Sequence, residues 1–369
     1  MTETVKDYGR WGVPHPIPYQ GSKRNLAPLI LSCFPAHVAR LVEPFGGSAA
    51  ISLATAYKRL ADGFLLNDAH APIIDLWREI IDRPKALAEQ YRRLWQAQLG
   101  REREYYDSVR KKFNGSHEPR YFLYLLARCV KAAIRYNGDG EFNNSPDNRR
   151  KGAHPDTMQE RIVGASVLLR GRTELSVSDY RDVLEKCTSA DLIYMDPPYQ
   201  GVCKNRDNRY CPKIEHDEFC DSLAALNDKG CMFVVSYDGR TGDKVYGEAL
   251  PESLHLLHIE VHAGRSTQAT LLGRDHDTYE SLYLSPALAR AVSPSEKKPQ
   301  MEFAWRGFRI RAHHGRSGTR LRTRSSQPLG GGSFSLGAAA GERLSSGRAA
   351  SSAGAAGPSG TFSIKNRGQ

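Results

Sequence analysis

Apolar and polar positions along the 369-residue chain repeat with two different periods. A short apolar run at 38–42 meets a glycine turn at 46–47, and apolar residues then recur at helical spacing through Leu60. "GFLLNDAH" is another short run, and it stops on an acid, Asp68. Residues 71–99 carry the helical period with a break near Pro84, whose ring cannot sit inside a helix. The period continues over 101–135, rich in rings at Tyr105, Tyr106, Phe113, Tyr121, Phe122 and Tyr124. "RYNGDGEFNNSPDNRRKG" (135–152) reads as a polar loop. Short runs return in "TELSVSDY" and "DLIYMDPPY", followed by a helix over 216–227, "CMFVVSYDG" and a hairpin-like end, "HLLHIEVHAG" with "YESLYLSP". Strands alternating with helices predict an α/β fold with a doubly wound, mostly parallel sheet. The block 81–170 interrupts that rhythm and predicts a mostly helical insert, leaving 1–80 and 171–290 to build the sheet domain.

Composition changes at the far end. Residues 301–369 are largely Gly, Ala, Ser and Arg, a mixture with little to bury, so a disordered basic tail is expected there. Of the net charge of +11, this segment holds +9, with eleven basic residues against two acids, and +2 remains for 1–300. The basic balance therefore says little about the folded body. No stretch approaches eighteen consecutive apolar residues and no basic-then-apolar leader follows Met1, so neither a membrane span nor a signal peptide is expected. The seven scattered cysteines match no zinc spacing and read as reduced thiols of a cytoplasmic protein, with no metal site.

Ligands of open α/β sheets sit beyond the carboxyl ends of the strands. "VEPFGGSAA" offers Phe45, Gly46 and Gly47 at one such end, where backbone can approach a ligand; a plain packing turn is the alternative. Asp68 ends the next run, placed to accept from ribose hydroxyls or else to cap the following helix. Asp179, in "SVSDY", is either an acceptor for an exocyclic amine or a surface turn acid. "DPPY" is more specific. Pro197 and Pro198 lack N–H donors and fix φ, so they stop the strand and hold Asp196 and nearby carbonyls as a rigid set of acceptors. Tyr199 adds a flat face beside them. Acceptors with a stacking ring suit an aromatic amine such as an adenine edge.

These segments in this order resemble the D12 class of DNA adenine-N6 methyltransferases, the Dam-type enzymes. "PYQGSK" (18–23), "EPFGGSAAISL" (43–53), "ND" (67–68), the 135–152 loop, "DPPY" (196–199) and "SYDG" (236–239) carry the resemblance, which covers about residues 16–285. It implies the fold of S-adenosylmethionine-dependent methyltransferases and S-adenosyl-L-methionine as cofactor. Tyr19 and Lys23 would hold its methionine portion, Phe45, Gly46 and Gly47 would line it, and Asp68 and Asp179 would bind its ribose and adenine amine. Asp196 and Pro197 would accept from the target amine, beside Pro198, with Tyr199 stacked on a base flipped from double-stranded DNA. The 81–170 insert would recognise the DNA site, with Arg110, Lys111, Lys112, Asn137, Asn143, Arg149, Arg150 and Lys151 as the contacts; a solvated charge run is the alternative for each cluster. Two positions depart from the pattern: Ser22 replaces a glycine, and Asn148 stands near where the loop has one. The implied role is the modification half of a restriction–modification system, with a cognate restriction endonuclease as partner, or an orphan methylase. The protein would be a monomer or weak dimer, prokaryotic or phage-encoded and nucleoid-associated. An inactive DNA-binding protein and an RNA adenine methyltransferase are the competing readings.

Overall fold

The computed structural model describes residues 12–198, 214–241, 244–246, 248–265, 277–292 and 310–313. Five strands run parallel: β1 (Val38–Glu43), β2 (Ala61–Asn67), β3 (Thr173–Ser176), β4 (Asp191–Met195) and β5 (Met232–Thr241). β6 (Lys244–Tyr246), β7 (Leu257–Arg265), β8 (Asp277–Leu284) and β9 (Ile310–His313) pair antiparallel. The order across the sheet is β3-β2-β1-β4-β5-β8-β7-β9, with β6 beside β5. Every residue of β4 is buried, which matches its unbroken apolar run, because a central parallel strand is covered on both faces. The sheet is thus mostly parallel and flanked by helices, the methyltransferase-type fold expected from the sequence.

The helices are α1 (Ala27–Ser32), α2 (Ala50–Lys58), α3 (Ala71–Asp82), α4 (Pro84–Ala97), α5 (Glu102–Ser116), α6 (Pro119–Arg128), α7 (Pro155–Leu169), α8 (Tyr180–Glu185), α9 (His216–Asp228) and α10 (Pro286–Val292). Pro84 does divide two helices, and it does so as the first residue of α4, where a missing N–H costs nothing. Leu41 and Val42, adjacent on β1, enter two different apolar clusters, one on each face of the sheet. The first joins Leu41 and Phe64 to Trp77, Phe113, Phe122, Ile162 and Leu169, so residues 81–170 have no core separate from that of the sheet. The second packs Val42 and Ile193 against Phe219 and Leu223 of α9. Among the described residues no helix is long and apolar enough to cross a membrane.

Two local differences from expectation stand out. The helical period was expected through 135, but α6 ends at Arg128 and a 3-10 turn follows at Val130–Ala132, with Lys131 and Ala132 at φ 58° and 50°. Within the tail expected to lack structure, Ile310–His313 pairs with β7. Residues 314–369 lie outside the described set.

Candidate active site

β1 and β4 are neighbours, yet the chain leaves β1 toward β2 on one side and β4 toward β5 on the other. Such a reversal opens a crevice beyond the carboxyl ends of the two strands. A cavity of about 380 Å³ lies there, and its lining includes Tyr19, Lys23, Phe45, Gly46, Gly47, Asp68, Asp179, Asp196, Pro197 and Pro198. Every described residue assigned to cofactor or catalysis is therefore brought to one cavity. Tyr199 lies outside the described residues.

The glycine loop is clasped to the end of β2. Gly46 N donates to Asn67 O, and a Cβ on Gly46 would stand 2.9 Å from that same oxygen, so no larger residue fits. Gly47 has φ +45°, and a Cβ there would meet the Tyr19 ring at 3.3 Å. Gly47 N donates to Asp68 Oδ2 (2.9 Å) and its carbonyl accepts from Trp77 Nε1 (2.9 Å). Asn67, fully buried, ties three strand ends together: Nδ2 donates to Pro44 O and Ser178 O, and Oδ1 accepts from Ser178 N. The sequence reading gave Asn67 no role of its own. The exchange of glycine for Ser22 is accommodated, because Ser22 has an ordinary φ of −54° and its Oγ accepts from Ser48 Oγ at 2.9 Å.

The acids differ in environment. Asp68 accepts from the backbone of Gly47 and His70, and burial lifts its pKa to about 6 against the pull of those two donors. Asp68 does not cap α3; the residue at that cap is His70. Asp179 does cap α8, accepting from Arg181 N at 2.9 Å. Its hydrogen bonds to the Arg181 side chain hold its carboxyl below the usual range. It is thus both a turn acid and part of the cavity lining.

Asp196 is the least expected. Lys23 Nζ lies 2.8 Å from its Oδ1 and 3.0 Å from Oδ2, and the two side chains are only 6% and 21% exposed. Burial alone would lower the Lys23 pKa, but the Asp196 and Glu280 carboxylates outweigh it and hold the ammonium charged. Lys23 therefore faces Asp196 as well as the space assigned to the cofactor. Glu43, at the end of β1, also lines the cavity and went unassigned in the sequence. Its carboxylate accepts from Ser52 N in α2, and burial raises its pKa to about 8. The only signal for it was an acid inside an otherwise apolar run.

None of the eight residues assigned to DNA lines this cavity. Arg110 pairs with Asp107 on α5 (3.2 Å), where Lys111 and Lys112 are exposed. Asn137 builds a turn, its Oδ1 accepting from Asp139 N and Glu141 N. Asn143 is exposed, and its backbone N donates to Arg135 O. Arg149 and Arg150 both reach Asp147, and Lys151 reaches Glu102 at 2.9 Å.

The cavity can hold S-adenosylmethionine in kind: a loop kept bare of side chains for close backbone approach, a buried acceptor at Asp68, and a second acceptor at Asp179. The family model for D12 class N6 adenine-specific DNA methyltransferases matches residues 19–263. A DNA N-6-adenine-methyltransferase of Escherichia phage P1 is 31% identical over 168 residues, 44% of this chain and 21% of that protein. The Retron Ec67 DNA adenine methylase of Escherichia coli is 30% identical over 169 residues, 44% of this chain and 56% of that protein. A DNA adenine methylase of Serratia marcescens is 31% identical over 163 residues, 43% and 57% of the two chains. The chain thus spans from about a fifth to just over half the length of these relatives.

Proposed function

Given that this chain belongs to the D12 class of N6 adenine-specific DNA methyltransferases, we propose that it methylates N6 of an adenine flipped out of duplex DNA. The observation that carries this reading is the Lys23–Asp196 pair, set at the end of β4 in the cavity that also holds the glycine loop and Asp68. When bound, S-adenosylmethionine supplies a methyl group on a positively charged sulfur, already activated for attack by the amine nitrogen. Tyr19, Phe45, Gly46, Gly47, Asp68 and Asp179 are the residues that would hold it.

An adenine amine is a poor nucleophile because its lone pair is delocalised into the ring. Asp196, accepting one N6 hydrogen, and Pro197, accepting another through its carbonyl, favour a more tetrahedral nitrogen with its lone pair free. Fixed acceptors of this kind cost no reorganisation during reaction. Burial pushes the Asp196 pKa up, and Lys23 has two parts against that background: it fixes the carboxylate's orientation, and its charge opposes the burial, favouring the ionised, accepting form. Each oxygen keeps further acceptor capacity for the amine. The target amine is sheltered within the duplex, so the base must leave the stack, and Tyr199 repays part of that cost at roughly 1–3 kcal/mol. Residues 81–170 would supply site recognition, with basic side chains on phosphates and Asn or Arg on base edges. The biological setting that fits is a modification enzyme with a partner endonuclease, or an orphan methylase.

The test is transfer of a labelled methyl group from S-adenosylmethionine to mixed DNA, followed by mapping of the modified positions. Label on adenine N6 at a defined site is expected, and none is expected from Asp196→Ala, which still binds DNA. Wild-type turnover in that variant, or label on another base, refutes the reading.

A further inference from the structure

A second cavity, of about 330 Å³, adjoins the first, and Tyr19, Ser22 and Ala132 line both. Its charged lining has one sign: Arg24, Lys131 and Arg150, with His15 beside them and no carboxylate. Among the described residues only Arg150 of these three has an ion-pair partner, Asp147 at 2.8 Å. Like charges around one space repel each other, so the arrangement is incomplete without an anion. His15 adds a donor without adding repulsion. Burial, then the charges of Arg24 and Arg161, lower its pKa to about 4, and its buried Nδ1 has no hydrogen-bond partner among the described residues.

The backbone holds Lys131 there against its own preference. Lys131 and Ala132 are consecutive non-glycine residues in the left-handed region, which L residues resist. The turn is tied down on both sides. Gln20 N donates to Ala132 O (3.1 Å), Val130 N donates to Ser145 O (3.0 Å), and the buried Asn144 Nδ2 donates to Val130 O and Ala133 O. Backbone strain held in place by surrounding bonds recurs at ligand clamps.

We propose that this second cavity binds one phosphodiester group of the DNA strand that carries the target base. The proposal rests on the DNA reading above and adds a named anion site to it. The shared wall makes its position useful: a strand gripped there enters the first cavity over Tyr19 and Ala132. His15 and Arg24 come from the N-terminal segment, Lys131 from the 3-10 turn after α6, and Arg150 from the 135–152 loop.

The full chain is titrated with a fluorescently labelled duplex across a salt series, as wild type, as Arg24→Gln/Lys131→Gln, and as Arg93→Gln, an exposed charge control on α4. The double variant is expected to bind about tenfold more weakly at low salt, and its slope of log affinity against log salt to fall by about 1, while the control keeps the wild-type slope. Unchanged affinity and slope in the double variant overturn the site, even where the wild type methylates adenine. A reduced slope in a protein that methylates no adenine supports the site and overturns the catalytic reading instead. A second measurement needs no substitution: the His15 ring resonances are expected to move on duplex binding, and resonances that stay still overturn the site. Inorganic phosphate is the competing probe. Movement with phosphate, in a protein whose duplex affinity ignores Arg24 and Lys131, assigns the cavity to a free anion and overturns the DNA assignment.

Discussion

Lys23→Met removes the countercharge from Asp196 and leaves that carboxylate buried. In the intact pair both Asp196 oxygens lie within 2.8–3.0 Å of Nζ, and Lys23 is almost wholly enclosed. Deleting one member of such a pair costs roughly 3–5 kcal/mol, because the survivor stays desolvated and uncompensated. The carboxylate has one escape, which is to take a proton. From its ordinary value of 3.8, protonation costs about 4 kcal/mol at pH 7 and about 2 kcal/mol at pH 5. These figures cap the loss. A carboxyl whose folded pKa is raised contributes stability that is present below its unfolded value and lost as pH rises. The variant's deficit must therefore grow from pH 5 to pH 7. Urea unfolding of both proteins at the two pH values measures it, with about 4 kcal/mol expected at pH 7 and about half that at pH 5. Lys23→Met/Asp196→Asn is expected to recover most of the loss, since no charge then stays buried. Equal deficits at both pH values, or none at pH 7, refute the reasoning.

Gly46→Ala places a methyl group 2.9 Å from Asn67 O, a backbone atom. We expect a loss of about 1–3 kcal/mol in thermal or urea unfolding, together with weaker S-adenosylmethionine binding by calorimetry; wild-type values for both would be inconsistent with the clasp. Glu43, with a folded pKa near 8 against an ordinary 4.5, contributes stability below pH 4.5 that is lost as pH rises through 8. Glu43→Gln does not titrate, so it should gain on the wild type by a few kcal/mol across that window, and a constant difference would refute this. Removing residues 321–369 should leave kcat on a short duplex unchanged, and a large fall in kcat would show that this segment takes part.

The parallel strands were legible because each is a short apolar run that stops on a turn or an acid, and β4 with its prolines is the plainest case. The cavity lining followed from the same rule, since strand ends converge whatever lies between them. Partners distant in sequence were not legible. Lys23 and Asp196 are 173 residues apart, and the fold brings the ammonium against the carboxylate. Helix α7 falls in the block expected to be mostly helical, but its own bounds were obscured for another reason. Its buried side includes Gly164 and Ser166, and Ser166 satisfies its hydroxyl on Ile81 O, so a polar residue stands where the pattern demands an apolar one. Ion pairs within the charge runs were not legible either. Arg149 and Arg150 reach Asp147 inside the loop, and Lys151 reaches Glu102 at the start of α5, pairs that the run of charges alone does not reveal.

Strand β9 has a consequence for where the chain can be cut. Ile310–His313 occupies the outer hydrogen-bonding side of β7, whose inner side is taken by β8. Without it, β7 would present a row of open N–H and C=O groups, an invitation to any passing strand and above all to a second copy of this chain. Ile310–His313 therefore act as a stopper, and a chain cut before them would trade solubility for brevity. The safe end of this protein lies after His313, well beyond the last motif that reads as chemistry.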